Sequence, residues 1–261
     1  MKKAINSICI IISITLLIVG SSLLTIQPIS NKLYTNKNNN AAKDFIEEFF
    51  SSEPAKRNTH VVISESQSTS PLLSTHKIEL KKLTQDIIQY NKTLSQSVQS
   101  DLGDKKFYSK PALVLKNYGF DNEVYGYIEI EKIGIIMPIY LGANNNNMGL
   151  GAAHMSGSSI PFGGENTNSV LAGHCGYGIY DYFRHIEDLT NDDIIKIITP
   201  FKIIHYRVIK KKVIEPNDIE PLKIQNGKDI ISLITCHPYP TSKYRLCVYG
   251  EAVPPRDNER E

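Results

Sequence analysis

Three side chains in the C-terminal half have the types and settings for covalent peptide chemistry: the thiol of Cys236, the imidazole of His174 and the guanidinium of Arg245. Cys236 closes the apolar run Ile230 to Thr235 and is followed by His237 and Pro238. Proline cannot continue a central ladder, so the chain is expected to leave a sheet there and to present the thiol at a strand mouth. A second run, Tyr244 to Gly250, starts one loop later, and antiparallel pairing of the two would return Arg245 to the side of Cys236. His174 ends a third run, Ser169 to Gly173, with glycines at 173, 176 and 178 that permit unusual backbone angles around it. A thiolate attacks carbonyls, an imidazole carries protons near neutral pH, and a guanidinium can only donate hydrogen bonds. Each residue also has an ordinary reading. A strand Cys is usually a small buried hydrophobe, an Arg a surface charge, and a His a satisfied hydrogen-bonding group.

Composition narrows the chemistry further. The chain has 29 Lys plus Arg against 27 Asp plus Glu, a formal charge of +2, without the basic stripe that nucleic-acid binding needs. DNA and RNA are therefore not expected partners, and the run Lys210 to Lys212 reads as a solvated strand end. Four cysteines are too few for a disulfide scaffold, and none has zinc-ligand spacing, so no structural metal is expected. Cys9 falls in an N-terminal apolar stretch. Cys175, Cys236 and Cys247 remain in the body, an odd number that leaves at least one thiol unpaired. Glu129 and Glu131 alternate along one strand-like run and read as a solvent-facing edge rather than a cation site.

Residues 4–26 are almost continuously apolar and long enough to cross a bilayer as a helix. Lys2 and Lys3 precede them and favour an N-in orientation, with residues 1–3 cytoplasmic and the rest outside. A cleaved signal peptide is the rival reading, but no clear small-x-small site follows the apolar run. Residues 27–110 are expected to hold a linker, helices and a possible lid. Asn36 to Asn40 reads as polar linker, Ala41 to Phe50 as a short helix and Ser51 to Ser74 as loop. Leu80, Leu83, Ile87, Tyr90, Leu94 and Val98 line one face of a helix over Ile78 to Val98.

From residue 111 to 253 the pattern turns to short β-branched runs between turn residues, the mark of an all-β sandwich or barrel. Strands are predicted near Ala112–Leu115, Val124–Ile130, Ile133–Leu141, Ser169–Gly173, Asp193–Ile198, Lys202–Lys210, Asp229–Thr235 and Tyr244–Val253. A helix over Tyr180–Leu189 interrupts them. The fold class is mainly β, and closure into a barrel would remove the exposed edges. Residues 254–261 form a charged tail.

Leu233-Ile234-Thr235-Cys236 resembles the TLxTC signature of the sortase family, Tyr244-Arg245-Leu246 resembles its downstream Arg strand, and Gly173-His174 its histidine motif. The stretches Gly126 to Ile130, Pro138 to Tyr140 and Gly157 to Pro161 are similar to those of class C, the pilin-polymerising sortases. The likeness runs over roughly Pro111 to Val253. It implies an eight-stranded sortase-type barrel and a membrane-anchored cysteine transpeptidase, with Cys236 as nucleophile, His174 as proton carrier and Arg245 as oxyanion or peptide donor. No cofactor is implied. The implied partners are surface proteins or pilins bearing an LPxTG-like sorting signal, cut between Thr and Gly, and an amine acceptor, a pilin Lys or a peptidoglycan cross-bridge. Membrane lipid is a further partner through the N-terminal helix.

This sequence departs from the class C pattern in three places. It ends on charged residues where class C members commonly have a second span, it lacks the Asp-Pro-aromatic lid tripeptide, and Cys175 follows the histidine where many have Arg. Asp104, Phe107 and Tyr108 lie where the lid would be, and a lid built from them would rest on contacts such as Asp104 with Arg245. If Cys175 and Cys236 come within about 4.4 to 6.8 Å at Cα, a disulfide could silence the enzyme; the alternative is a free thiol pointing into the core. Three other functions remain open: a housekeeping or substrate-specific sortase, a cysteine hydrolase with water as acceptor, and a membrane-tethered β-domain that binds a surface partner without catalysis.

Overall fold

The computed structural model describes residues 2–50 and 71–254. Helix α1 spans Lys2–Phe50 and α2 Pro71–Ser95, followed by the one-turn helices α3 (Lys105–Tyr108) and α4 (Asn145–Met148). The strands are β1 (Val124–Ile130), β2 (Ile135–Leu141), β3 (Ala152–His154), β4 (Thr167–Ala172), β5 (Cys175–Tyr177), β6 (Tyr180–Tyr182), β7 (Ile194–Ile198), β8 (Ile203–Ile214), β9 (Asp229–His237) and β10 (Tyr244–Val253). Eight of them close a barrel in the order β1-β2-β3-β4-β9-β10-β8-β7, and β5 and β6 form a separate hairpin.

Alternation along the strands sorts their side chains into two sets. Ile128 and Ile130, Met137 and Ile139, Leu171, Ile195 and Ile197, Tyr206, Ile231 and Leu233, and Leu246 and Val248 all join one buried cluster. Because strands from all round the barrel contribute to it, this cluster is the interior. Leu83 and Ile87 of α2 join the same core. On the outside, two faces are covered. Ala42 and Phe45 of α1 pack on Tyr127, Ile136 and Ile198, and Leu102, Ile214 and Leu222 cover Val170, Ile230, Ile234 and Cys247.

The barrel has the expected number of strands but not the expected membership. Ala112–Leu115 is not a strand; its apolar run leads into a 3-10 turn, Leu115–Tyr118, whose Leu115 and Tyr118 are buried. The eighth place is taken by β3, three residues with no β-branched side chain. Tyr180–Leu189 is not a helix either. Its apolar spacing serves β6 and a 3-10 turn at Ile186–Asp188, with Tyr182, Phe183, Ile186 and Leu189 all buried as a helix would also have buried them. The linker expected at Asn36–Asn40 is helical, because the Asn38 amide donates to the Ile136 carbonyl at 3.0 Å and anchors α1 to β2. Of the loop expected at Ser51–Ser74, residues 71–74 are helical and residues 51–70 lie outside the described residues, as does the tail Arg256–Glu261. The N-terminal helix is long and apolar enough to cross a membrane, and Ile10 to Val19 expose large apolar side chains along it.

Gly157 to Pro161, one of the class C-like stretches, wraps a buried imidazole. His154 Nε2–H donates to the carbonyls of Ser158 (3.2 Å) and Ser159 (3.0 Å), and the Ser158 hydroxyl donates to the Met155 carbonyl while accepting from the Val170 N–H. Burial holds His154 neutral, with its pKa pushed down to about 4. The unfolded chain binds this proton near 6.5. Stability from His154 is therefore complete above about pH 6.5 and is lost as pH falls from there towards 4, by roughly 3 kcal/mol. Urea unfolding across that window is expected to have a pH slope that His154→Gln lacks. Equal slopes in the two proteins would show that the imidazole is protonated in the fold.

Candidate active site

β10 pairs antiparallel with β9 in a register that sets Arg245 directly opposite Cys236. Opposed residues of an antiparallel pair project from the same face. β4 pairs parallel with β9 on the other side, with Ala172 opposite Ile234. The pairing continues one step further: the Gly173 N–H donates to the Ile234 carbonyl at 3.1 Å, and the Thr235 hydroxyl donates to the Gly173 carbonyl at 2.8 Å. That register leads the chain to His174, two residues past β4, on the side of β9 where Cys236 lies. The three predicted residues thus meet at one mouth of the barrel, on adjacent strands.

Glycine 173 serves a different purpose from the one expected. Its backbone is not in the left-handed region, but a Cβ there would lie 2.6 to 3.0 Å from the Phe183 ring. The position therefore accepts only the smallest residue so that Phe183 can pack beneath the histidine strand. Gly176 and Gly178 do adopt positive φ, +80° and +61°, and turn the chain into the β5–β6 hairpin.

The electrostatics separate the three thiols of the body, all of them free. Cys247 is buried, and desolvation pushes its pKa up to about 12, so it stays a protonated thiol. The Cys175 thiol is also raised, first by burial and then by the neighbouring Cys236, while the Thr235 hydroxyl beside it acts in the opposite sense. Cys236 is partly exposed at the end of β9. Burial lowers the pKa of His174, which favours the neutral imidazole. Its ring stacks on Tyr177 at 4.7 Å and meets Tyr182 edge-on at 6.3 Å. Arg245 Nη1 donates to the carbonyls of Ser242 and Tyr244, both at 2.9 Å. Those two bonds fix the guanidinium at the rim, and among the described residues its Nε and Nη2 have no hydrogen-bond partner.

The residues that the sequence reading did not place at the site are Tyr177, Tyr180, Asp181 and Tyr182 of the hairpin and Arg184 just after it. Arg184 pairs with Asp181 at 3.1 Å and lies over the Tyr239 ring at 4.2 Å, which ties the hairpin to the loop after Cys236. A signal for this hairpin was available. Glycines at 176 and 178 flank Tyr177, and Tyr180 and Tyr182 alternate, which is period-two patterning around a turn.

The segment 102–111 is held elsewhere than at Arg245. Asp104 caps α3 by accepting from the Lys106 N–H at 2.8 Å. The Tyr108 carbonyl accepts from the N–H groups of Ala143 and Ser156, the Ser156 hydroxyl donates to the Lys110 carbonyl, and Leu102 is fully buried. No hydrogen bond, ion pair or ring contact among the described residues joins Asp104, Phe107 or Tyr108 to Cys236 or Arg245. The expected ion pair of Asp104 with Arg245 is replaced by the helix cap.

Comparison with known proteins gives the same picture. The family described as the sortase domain matches residues 128–253. Sortase D of Bacillus subtilis (strain 168) is 28% identical over 131 residues, which are 49% of this chain and 63% of that protein's length. Among solved structures, Group B Streptococcus Pilus Island 1 Sortase C2 is 30% identical with a TM-score of 0.60, over 69% of this chain and 98% of that one. Sortase C from Clostridium perfringens SM101 is 28% identical with a TM-score of 0.58, over 83% and 99%. The chain belongs to the sortase family of cysteine transpeptidases, and class C sortases are among its structural relatives.

Because the 102–111 segment is fastened to the 142–156 region, Asp104→Ala and Tyr108→Ala are expected to change the alkylation rate of Cys236 by no more than about twofold, the effect of an exposed contact of under 1 kcal/mol. Iodoacetamide labelling with peptide mapping, which separates Cys236 from Cys175, measures this. An acceleration of tenfold or more in either variant would show that these side chains shield the thiol.

Proposed function

We propose that this chain is a membrane-anchored transpeptidase that cuts an LPxTG-like sorting signal and joins the released carboxyl group to an amine. The observation that carries the reading is the β4–β9–β10 register, which gathers His174, Cys236 and Arg245 on neighbouring strands. The Cys236 thiolate attacks the carbonyl of the Thr–Gly bond, and the carbonyl π electrons move onto oxygen. Arg245 donates hydrogen bonds to that oxyanion or to the bound peptide. Collapse re-forms the carbonyl and expels the glycyl amine, which takes a proton from His174, leaving a thioester on Cys236. An incoming amine then gives its proton to His174 as it attacks the thioester, and the Cys236 thiolate leaves. The lowered pKa of His174 favours the form that accepts this second proton.

The most fitting acceptor is a pilin Lys, supported by the likeness to Pilus Island sortases. Attachment to a peptidoglycan cross-bridge is the second reading, favoured by the likeness to Sortase A of Streptococcus agalactiae serotype III (strain NEM316), which is 25% identical over 178 residues. In either case residues 4–26 are read as the membrane span, with the barrel on the outer side. The 102–111 segment would edge the peptide groove rather than seal it.

Cys236→Ala is expected to abolish cleavage of an LPxTG peptide and the thioester seen by mass spectrometry, with the fold unchanged. Arg245→Ala should lower turnover by about 10² to 10³, the range for loss of one oxyanion donor. Near wild-type turnover in Cys236→Ala would end the enzymatic reading and leave a binding domain. Competition between a pilin-derived Lys peptide and an oligoglycine acceptor decides the amine, and hydrolysis faster than either transfer would mark a protease.

A further inference from the structure

α1 is continuous from Lys2 to Phe50, and Pro28, just past the apolar segment, is the point inside it where the helix ladder loses a donor and can bend. At 1.5 Å per residue, residues 4–26 rise about 34 Å, enough to fill a hydrocarbon layer of about 30 Å. Gln27 follows immediately. Its Nε2 donates to the Asp181 carboxylate at 2.7 Å, the Asn31 amide donates to the same carboxylate, and the Asp181 N–H donates to Asn31 Oδ1 at 3.1 Å. Two turns along, Tyr34 packs on Tyr180 at 4.9 Å and Tyr182 at 5.7 Å. Asn38, Ala42 and Phe45, farther from the apolar end, bind β1, β2 and β7. Among the described contacts, the β5–β6 hairpin is thus the part of the barrel that α1 meets first.

The tip of this hairpin is apolar and open: Tyr177 is 59% exposed and Ile179 42%. Ile179 is two residues from Asp181, within about 7 Å at strand spacing, and Tyr177 lies opposite Tyr180 in the register. Both therefore stand within about 10 Å of the level at which the apolar rod ends, the depth of the headgroup layer where tyrosine and aliphatic side chains are favoured.

We propose that the β5–β6 hairpin is a membrane-interface element: Tyr177 and Ile179 lie in the headgroup layer of the phospholipid bilayer that α1 enters, and hold the His174–Cys236 rim against that surface. The occupant of the apolar tip is the bilayer itself. The proposal rests on residues 4–26 being the span. It places the scissile bond of a membrane-tethered substrate at the level of the thiol, and it favours chains emerging from the same bilayer over those arriving from bulk water.

The chain contains no tryptophan, so a single introduced indole is a clean depth probe. The full chain is reconstituted into phosphatidylcholine–phosphatidylglycerol vesicles in which the acyl chains carry bromine near the headgroup. Ile179→Trp is expected to be quenched several-fold more than Phe50→Trp, which lies about 36 Å farther along α1. Leu17→Trp, inside the apolar segment, tests the span separately. If Leu17→Trp is quenched and Ile179→Trp behaves like Phe50→Trp, the hairpin stands clear of the lipid and the proposal fails while the span survives. If Leu17→Trp is unquenched, the span reading falls and takes the proposal with it. Retained peptide cleavage certifies the fold of Ile179→Trp; should it be lost, Tyr177→Trp gives the same depth reading by quenching alone.

Discussion

Two strand registers meet on β9, and the chemistry depends on both being correct. β10 sets Arg245 opposite Cys236, and β4, running parallel, carries His174 to the same level. Side chains alternate with a period of two, so a slip of one residue in either pairing would turn its functional group to the opposite face of the sheet. The interior cluster prevents this. Leu171, Ile231, Leu233, Leu246 and Val248 pack in the interior while Val170, Ile230, Ile234, Cys247 and Tyr249 pack with Leu102 and Leu222 on the outside, so a slip would undo two fitted apolar faces at once. The positions of Arg245 and Cys236 on their strands are thus held by the apolar side chains that alternate with them.

The parallel pairing has a topological consequence. A β4 to β9 connection cannot be a tight turn, because parallel neighbours need a crossover. Residues 173–228 supply it, and the barrel uses that length to build β5, β6, β7 and β8 before returning. The first stretch of the crossover is the hairpin against His174. His174 therefore sits where a barrel strand hands over to an excursion, with its ring stacked on Tyr177 rather than locked in a ladder. A strand mouth of this kind combines a fixed backbone with side chains that can reach a peptide.

Much of this was legible in the sequence where periodicity and chemistry agree. The Ile-rich strands announced themselves, and Cys236 before His237-Pro238 located a strand end. The misreadings share one cause: an apolar pattern reports burial, not backbone geometry. Tyr182, Phe183, Ile186 and Leu189 are buried as the three-four spacing required, yet they lie on a short strand, a 3-10 turn and the chain beside them. Ala112 to Leu115 is an apolar run that feeds a turn, while Ala152-Ala153-His154 pairs on both sides without any β-branched residue. The asparagine run of α1 illustrates the reverse error. Asn has poor intrinsic helix propensity, but tertiary contacts outweigh it, since the Asn38 amide finds a buried carbonyl only if the helix continues. The sequence offered Asp104 as a partner for Arg245, but the side chain caps α3 instead, because no local pattern distinguishes a helix-capping Asp from a pairing one.

That continuous helix is linked to the candidate site by a short chain of contacts. Gln27 and Asn31 hold Asp181, Asp181 pairs with Arg184, and Arg184 lies over Tyr239, two residues past Pro238's neighbour His237 in the loop that leaves Cys236. Tyr34 packs on Tyr182, and Tyr182 meets the His174 ring. A flexible linker at Asn36 to Asn40 would have let the barrel turn freely relative to the N-terminal part of α1. Tyr34, Asn38, Ala42 and Phe45 instead pack this part of α1 along the barrel and fix how the two sit together.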